Sequence, residues 1–210
     1  RVQNTKAPGL EFFRTARVGA YGSYVGADYP VSVVRYYGDG AEWSDEDSTG
    51  PNVEFDGFGL AAWAAHEAGV EALPNTGPLL TSLVDETGLI KPDSSIWEVH
   101  WNGREKRFAY TSITAAYGMC LTGNPSGARA LRDAIANRLV LPSGGIAANY
   151  EELRSAAPAR DAAVLEAINF GLFAIDDPLV DETLDEMERL RVATGRGFKR
   201  NDDGGGYDES

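Results

Sequence analysis

The sequence predicts an all-α protein whose helices lie in two concentric layers. Helical patterns recur along the chain and are joined alternately by short and by longer loops. Fairly apolar helices, at 108–121 and 161–174, alternate with more charged ones. A helix that is apolar on most sides belongs inside, and a one-sided helix belongs outside. No exact sequence repeat is present, so the repetition is expected in structure only. The aromatic loops follow alternate connections, which would gather them at one end to line a pocket.

Composition bounds the reading. The chain has 210 residues, 43% hydrophobic and 10% aromatic, enough for a real core. The net charge is −13, with 32 Asp and Glu against only four Lys (Lys6, Lys91, Lys106, Lys199) and 15 Arg. Such a surface repels phosphate backbones and anionic membranes, so nucleic-acid and membrane partners are set aside. Lysine depletion suggests adaptation to high salt, where screening removes the self-repulsion. Cys120 is alone and is expected as a small core residue. His66 and His100 form no zinc-type pair, and neither a metal nor another cofactor is expected. A calcium loop finds no clear ligand set. There is no long uncharged apolar run and no signal-peptide pattern, and the expected location is cytoplasmic, with secretion left open. The start RVQNTKAPGLEFF and the turn-rich end NDDGGGYDES suggest part of a longer chain.

The elements follow in order. Residues 10–20 read as a short helix, 21–30 as an aromatic, glycine-rich loop, and 31–37 as a short strand or buried turn. Residues 38–54 are polar, and the acidic run at 45–47 reads as a solvated loop. Residues 56–69 are a helix with Leu60, Trp63, Ala64 and Glu67 at helical spacing and Gly69 as its stop. Residues 79–86 form a second helix, with Pro78 at its start and Gly88 after its end. The helix at 108–121 is rich in small residues, and Ala115, Ala116 and Gly118 permit close neighbours. Residues 126–140 are amphipathic, with Leu131, Ile135 and Leu139 on one face. After a loop at 141–150 come the apolar helix 161–174 and an amphipathic helix at 178–194. Pro178 opens the latter, which carries Leu184, Met187 and Val192. Residues 195–210 are a loop.

The chemistry concentrates in the loop 88–107. Glu98 lies beside Trp97, and the same loop holds Asp93, His100, Trp101, Arg104 and Arg107. Sugars are bound by aromatic faces and charged hydrogen-bonding groups, and glycosidic bonds are broken by a carboxylic acid that protonates the leaving oxygen. A carboxyl packed on an indole is partly desolvated and holds its proton nearer to neutral pH. The plain alternative is a surface loop with one buried Trp.

Four segments resemble glycoside hydrolase family 15, the glucoamylase and bacterial trehalase-like enzymes. VEFDGFGLAAWA resembles the family's Gln-x-Asp-x-x-Gly helix start, with Glu54 in place of Gln. DSSIWEVHWNGREKRFAYTS resembles its Asp-x-Gly-Ile-Trp-Glu-Val-Arg-Gly segment and the Phe-Thr-His-Ser-Lys that follows. ARDAAVLEAINFGLFAIDDPLVDETLDEM resembles the next inner helix, its Asp-Asp-Pro connector and an outer helix, and GFKRNDDGGGYDES resembles an Arg-containing loop over the sugar. The resemblance implies an (α/α)6 toroid of about a dozen helices. Residues 1–210 would be a single glucoamylase-like catalytic-domain segment covering roughly its middle half. Another chain or segment would complete the toroid.

It also implies an inverting hydrolase acting on an oligosaccharide or glucoside and releasing glucose. Two carboxyls roughly 6.5–9.5 Å apart would act as acid and base. By the resemblance, Glu98 is the general acid, Trp97 the neighbouring indole, Asp56 a substrate-side carboxylate and Arg200 the arginine that hydrogen-bonds sugar hydroxyls, with Trp101 as a further substrate-binding aromatic. Asp56 is equally placed to cap its own helix, and Arg200 to be a solvated cation. Several positions depart from the family. Its Arg-Gly is His100-Trp101 here, its Ser-Lys is Thr111-Ser112, and its N-terminal Arg-Asp clamp has no counterpart. The segment that carries its catalytic base would lie beyond Ser210. These departures keep a noncatalytic carbohydrate-binding or regulatory module, and a helical scaffold without sugar chemistry, as alternatives.

Overall fold

The computed structural model describes residues 54–72, 75–96 and 105–202. The expected elements at 10–20, 21–30 and 31–37, the acidic run at 45–47 and residues 97–104 and 203–210 lie outside the described residues. What is described is all-α. The helices are α1 (Asp56–Glu67), α2 (Thr76–Ser82), α3 (Ala109–Leu121), α4 (Pro125–Arg138), the short α5 (Glu166–Asn169) and α6 (Pro178–Met187). Two 3-10 turns, Ala162–Leu165 and Glu188–Leu190, lead into α5 and out of α6. Extended pairing among the described residues is limited to isolated bridges.

Helix α3 is the centre. It packs against α1, α2, α4 and α5, and nine of its thirteen residues are buried. Small side chains make this possible, because they let neighbouring backbones approach closely. The tightest approach is to α1. A Cβ on Gly59 would sit 2.2 Å from the Thr114 carbonyl oxygen, and one on Gly118 would sit 2.9 Å from the Gly59 Cα. This contact fixes the rotation of α1. Phe58, Gly59 and Ala62 turn inward, while Trp63 is 39% exposed and reaches Phe170 with ring centroids 6.1 Å apart. Helix α4 buries Ala128, Leu131 and Ile135, as its periodicity predicts, with Leu139 fully buried just beyond it. Leu79, Leu80 and Leu83 are completely buried, each contributing about 1.5–3 kcal/mol of apolar burial.

Several boundaries differ from the sequence reading. Helix α2 starts two residues before Pro78, which a helix tolerates in its first turn. It stops at Ser82 because the chain turns back, with Val84 bridged to Ile90. The expected helix at 161–174 is a 3-10 turn plus one α-turn. Gly171, at φ 63°, ends it; its amide donates to the Ile168 carbonyl, and that of Leu172 to the Ala167 carbonyl. The same pattern at Gly69 stops α1 where the sequence indicated. Helix α6 opens at Pro178, with the Asp177 carboxyl accepting from the Leu179 amide, but ends at Met187. Its inward face is Val180, Thr183, Glu186 and Met187, which leaves Leu184 46% exposed. Cys120, expected in the core, is exposed, because α3 turns Met119 and Gly118 inward at that level.

The repetition absent from the sequence is present in the backbone. Three helix-to-loop turns use the same hydrogen bonds. Lys91, Ala147 and Lys199 amides donate to the carbonyls of Leu83, Leu139 and Leu190. Asp85, Leu141 and Val192 amides donate to Leu89, Gly145 and Gly197, and Gly88, Gly144 and Gly195 amides return to Asp85, Leu141 and Val192. Beyond each turn a residue reaches back to the approach of an inner helix. The pairs are Asp93 with Lys106, Asn149 with Phe108 and Asn201 with Asp161. Further amide-to-carbonyl bonds, Ala109 to Ala148, Ala148 to Ala159, Tyr150 to Arg107 and Ala162 to Arg200, join these approaches into a belt around one end of the bundle.

A test of the α1–α3 contact follows. Gly59→Ala is expected to destabilise by about 2–3 kcal/mol, outweighing the helix propensity it gains. Gly57→Ala, with open space around its Cβ position, is expected to be neutral or to stabilise by up to about 1 kcal/mol. Urea midpoints decide; equal midpoints for the two variants would refute the contact's role.

Candidate functional site

The belt brings together the starts of the inner segments, and the charged groups of interest sit there. Asp56 is the first residue of α1, and Phe55 occupies the cap position. Asp56 is therefore not the capping residue of its own helix. It is 3% exposed, and its Oδ1 has no hydrogen-bond partner among the described residues. Burial pushes its carboxyl up to about 6, even though the Gly57 amide and its own amide pull the other way.

Asp93 lies next to it and is 1% exposed. Its Oδ2 accepts from the Phe55 amide at 2.7 Å, and the Thr111 hydroxyl donates to the carboxyl at 3.1 Å. Its backbone is paired with Lys106 in both directions at 3.0 Å. Burial raises the Asp93 carboxyl well above the ordinary range, and the charge of Asp56 adds to the effect. Tyr110, in the first turn of α3, is pushed up to about 12, first by burial and then by the charges of Asp56, Glu166 and Asp161. It remains a neutral hydroxyl, able to donate or accept. Asp161 is buried, caps the Ala162–Leu165 turn through the Ala163 amide at 2.9 Å, and is bridged to Asn201.

Arg200 is exposed on the loop after the third turn. Its guanidinium donates to the Ile96 carbonyl at 3.2 Å, and its own carbonyl accepts from Ala162. Arg160 holds this loop in place. Its Nε donates to the buried Glu186 at 2.7 Å and its Nη1 to Asp202 at 3.0 Å, while its amide donates to Asp202 at 2.6 Å. Two residues before Trp97, Ser95 adopts φ 49°, and its buried hydroxyl has no partner among the described residues. The Asn201 Oδ1 is also buried without a partner.

Of the residues singled out by sequence, Asp56 and Arg200 are thus brought to neighbouring parts of the belt, one beside Asp93 and the other at Ile96. Trp97, Glu98 and Trp101 lie outside the described residues. Arg107, grouped with the sugar loop, is held by carboxylates of other segments. It donates to Asp85 at 2.6 Å and to Glu151 at 2.8 Å, a structural tie between two turns. Sequence reasoning gave no role to Tyr110, Asp161 or Glu166. Their signal was present: each polar or acidic residue stands at or near the start of an expected inner helix, and equivalent starts share one end. Among the described residues no group of three or more His, Cys, Asp or Glu is arranged to hold a metal ion, and no helix is long and apolar enough to cross a membrane. Comparison with protein-family models, curated proteins and solved structures gave no match.

The burial of Asp56 has a measurable consequence. Its folded value of about 6 exceeds the ordinary 3.8. Its contribution to stability is therefore complete below 3.8 and is lost as the pH rises through 6. At neutral pH the buried charge costs about 3 kcal/mol, at about 1.4 kcal/mol per unit. Asp56→Asn is expected to stabilise the fold at neutral pH by up to about 3 kcal/mol. That gain should vanish below 3.8. Thermal melts across pH test this, and a variant less stable than wild type at neutral pH would make Asp56 a structural residue.

Proposed function

We propose that this chain is the central part of an inverting glycoside hydrolase of the glucoamylase type, with Glu98 as general acid, and that its helices belong to an (α/α)6 toroid. One observation carries the reading. Three sequence segments that resemble separate parts of family 15 converge through specific bonds: Phe55 to the Asp93 carboxyl, and Arg200 to the Ile96 carbonyl. Those bonds bring Asp56, the approach to Trp97 and Glu98, and the Arg200 loop to one end of the bundle. The left-handed Ser95 supports it further, since the family pattern carries glycine at that position. The repeated turn and the buried α3 are what a ring of helical hairpins requires.

In this reading Asp56 offers an unpartnered, desolvated oxygen to a sugar hydroxyl, and ligand binding would repay part of its desolvation. Arg200 supplies a second, charge-assisted contact. Tyr110 adds a neutral hydroxyl at the same end. Trp97 and Trp101 give the apolar faces on which a pyranose ring rests. Glu98 protonates the glycosidic oxygen, and water, activated by a carboxylate base, attacks the opposite face. The substrate class is an α-glucan or α-glucoside, and the acid–base chemistry itself requires only carboxyls and water.

Proton NMR of maltotriose with the chain in concentrated KCl tests this. Release of β-glucose is the expected result, and Glu98→Gln should lower it by about 10²–10⁴-fold while maltotriose binding survives. Turnover near wild type in that variant would remove Glu98 as the acid. Broadened ligand lines without cleavage in the wild-type chain would favour the noncatalytic carbohydrate-binding module instead.

A further inference from the structure

We infer that Asp93 is the positioning residue of this site: its carboxyl clamps the start of α1 to the start of α3 and so fixes where the Asp56 side chain stands. The inference rests on the proposed sugar-binding role of Asp56. Three ties meet at Asp93. The Phe55 amide, immediately before Asp56, donates to Oδ2 at 2.7 Å. The Thr111 hydroxyl, in the first turn of α3, donates to the same carboxyl at 3.1 Å. The Asp93 backbone is locked to Lys106 by two bonds of 3.0 Å, which anchors the carboxyl to the approach of α3.

The cap position of α1 receives no side-chain cap from its own residue. The first amides of a helix need acceptors, and here an acceptor for the Phe55 amide comes from a residue 38 positions away. A local Ser or Asn would satisfy such a group with less desolvation. Placing a second buried carboxyl beside Asp56 is a poor choice for stability, because like charges at close range repel. What it provides is rigidity. Asp56 is at the end of a helix, where the chain otherwise frays, and the Asp93 clamp ties that end to α3, nine of whose thirteen residues are buried. A ligand group that must meet the Asp56 oxygen then finds it in one place.

The test compares Asp93→Ala, Asp93→Asn, Thr111→Val and Asp56→Ala in the full chain, reading maltotriose affinity by Trp fluorescence and helical content by circular dichroism. Asp93→Asn keeps an acceptor for the Phe55 amide and a partner for Thr111, and should bind within about 3-fold of wild type. Asp93→Ala should retain its helical signal and bind about 100-fold more weakly. In the Asp56→Ala background, Asp93→Ala should add almost nothing, since two residues acting as a unit are not additive. Should Asp93→Ala fail to fold, Thr111→Val takes its place, with an expected loss of about 3–10-fold that also disappears in the Asp56→Ala background. Wild-type affinity in Asp93→Ala, a loss in Asp93→Asn equal to that in Asp93→Ala, or losses that add fully to Asp56→Ala would overturn the positioning role while leaving the sugar site intact. A wild-type chain with no maltotriose response would overturn both readings.

Discussion

Backbone contact between α1 and α3 is the constraint from which the other features follow. A glycine on each helix lets the two main chains touch, and at Gly59 no side chain of any size fits. Once that contact is made, α1 has no rotational freedom. Phe58 and Ala62 must enter the core, Trp63 must face outward toward Phe170, and Asp56 must stand at the end of the crossing, where the belt of loop bases runs. The position of the candidate site is therefore decided some distance from it, by the absence of two side chains.

Electrostatics at that end work against the fold. Asp56 and Asp93 are both buried and both raised, and neither faces a described basic side chain within its set of bonds. Elsewhere acids are handled in the usual way. Glu186 has Arg160 and Arg189, and Asp85 has Arg107. Among the described residues arginines stand beside these carboxyls, and no ion pair joins one to Asp56. Asp56 is a buried acid with an oxygen that no described residue satisfies, and perturbed acids of this kind cluster at functional sites.

Much of the fold was legible because its signals were local. The small-residue run at 108–121 and the spacing of Leu131, Ile135 and Leu139 depend only on side-chain size and period, and α3 and α4 stand where those signals fall. The segment at 161–174 was misread because its apolar content is that of a helix, while Gly171 imposes a left-handed turn that hydrophobicity does not register. Of the apolar residues noted on the helix at 178–194, Met187 packs inward but Leu184 does not, because Thr183, which donates to Leu179 and accepts from the Ile146 amide, takes the inward position beside it. At the candidate site, Asp56 and Arg200 were singled out through motif resemblance. The clamp at Asp93 was not, because a carboxyl 38 residues from the amide it satisfies leaves no trace in either neighbourhood. The partners of Arg107 were equally hidden: it stands near Trp97 and Glu98 in sequence, and its fork-shaped head pairs with Asp85 and Glu151, 22 and 44 residues away.

The paired loop bases have a consequence for how such a molecule can change. Two connections at the belt are closed at their bases by backbone bonds: Asp93 with Lys106, and Ala148 with Ala159. Residues 150–158, inside the second of these, are all half-buried or exposed. Lengthening a closed loop adds only a logarithmic entropy term, about 0.6 kcal/mol per doubling. Such a connection can therefore be rewritten, residue by residue or by whole insertions, at little cost to the helices it joins. Two proteins built this way could share every helix and have few loop residues in common, and their ligands would differ accordingly.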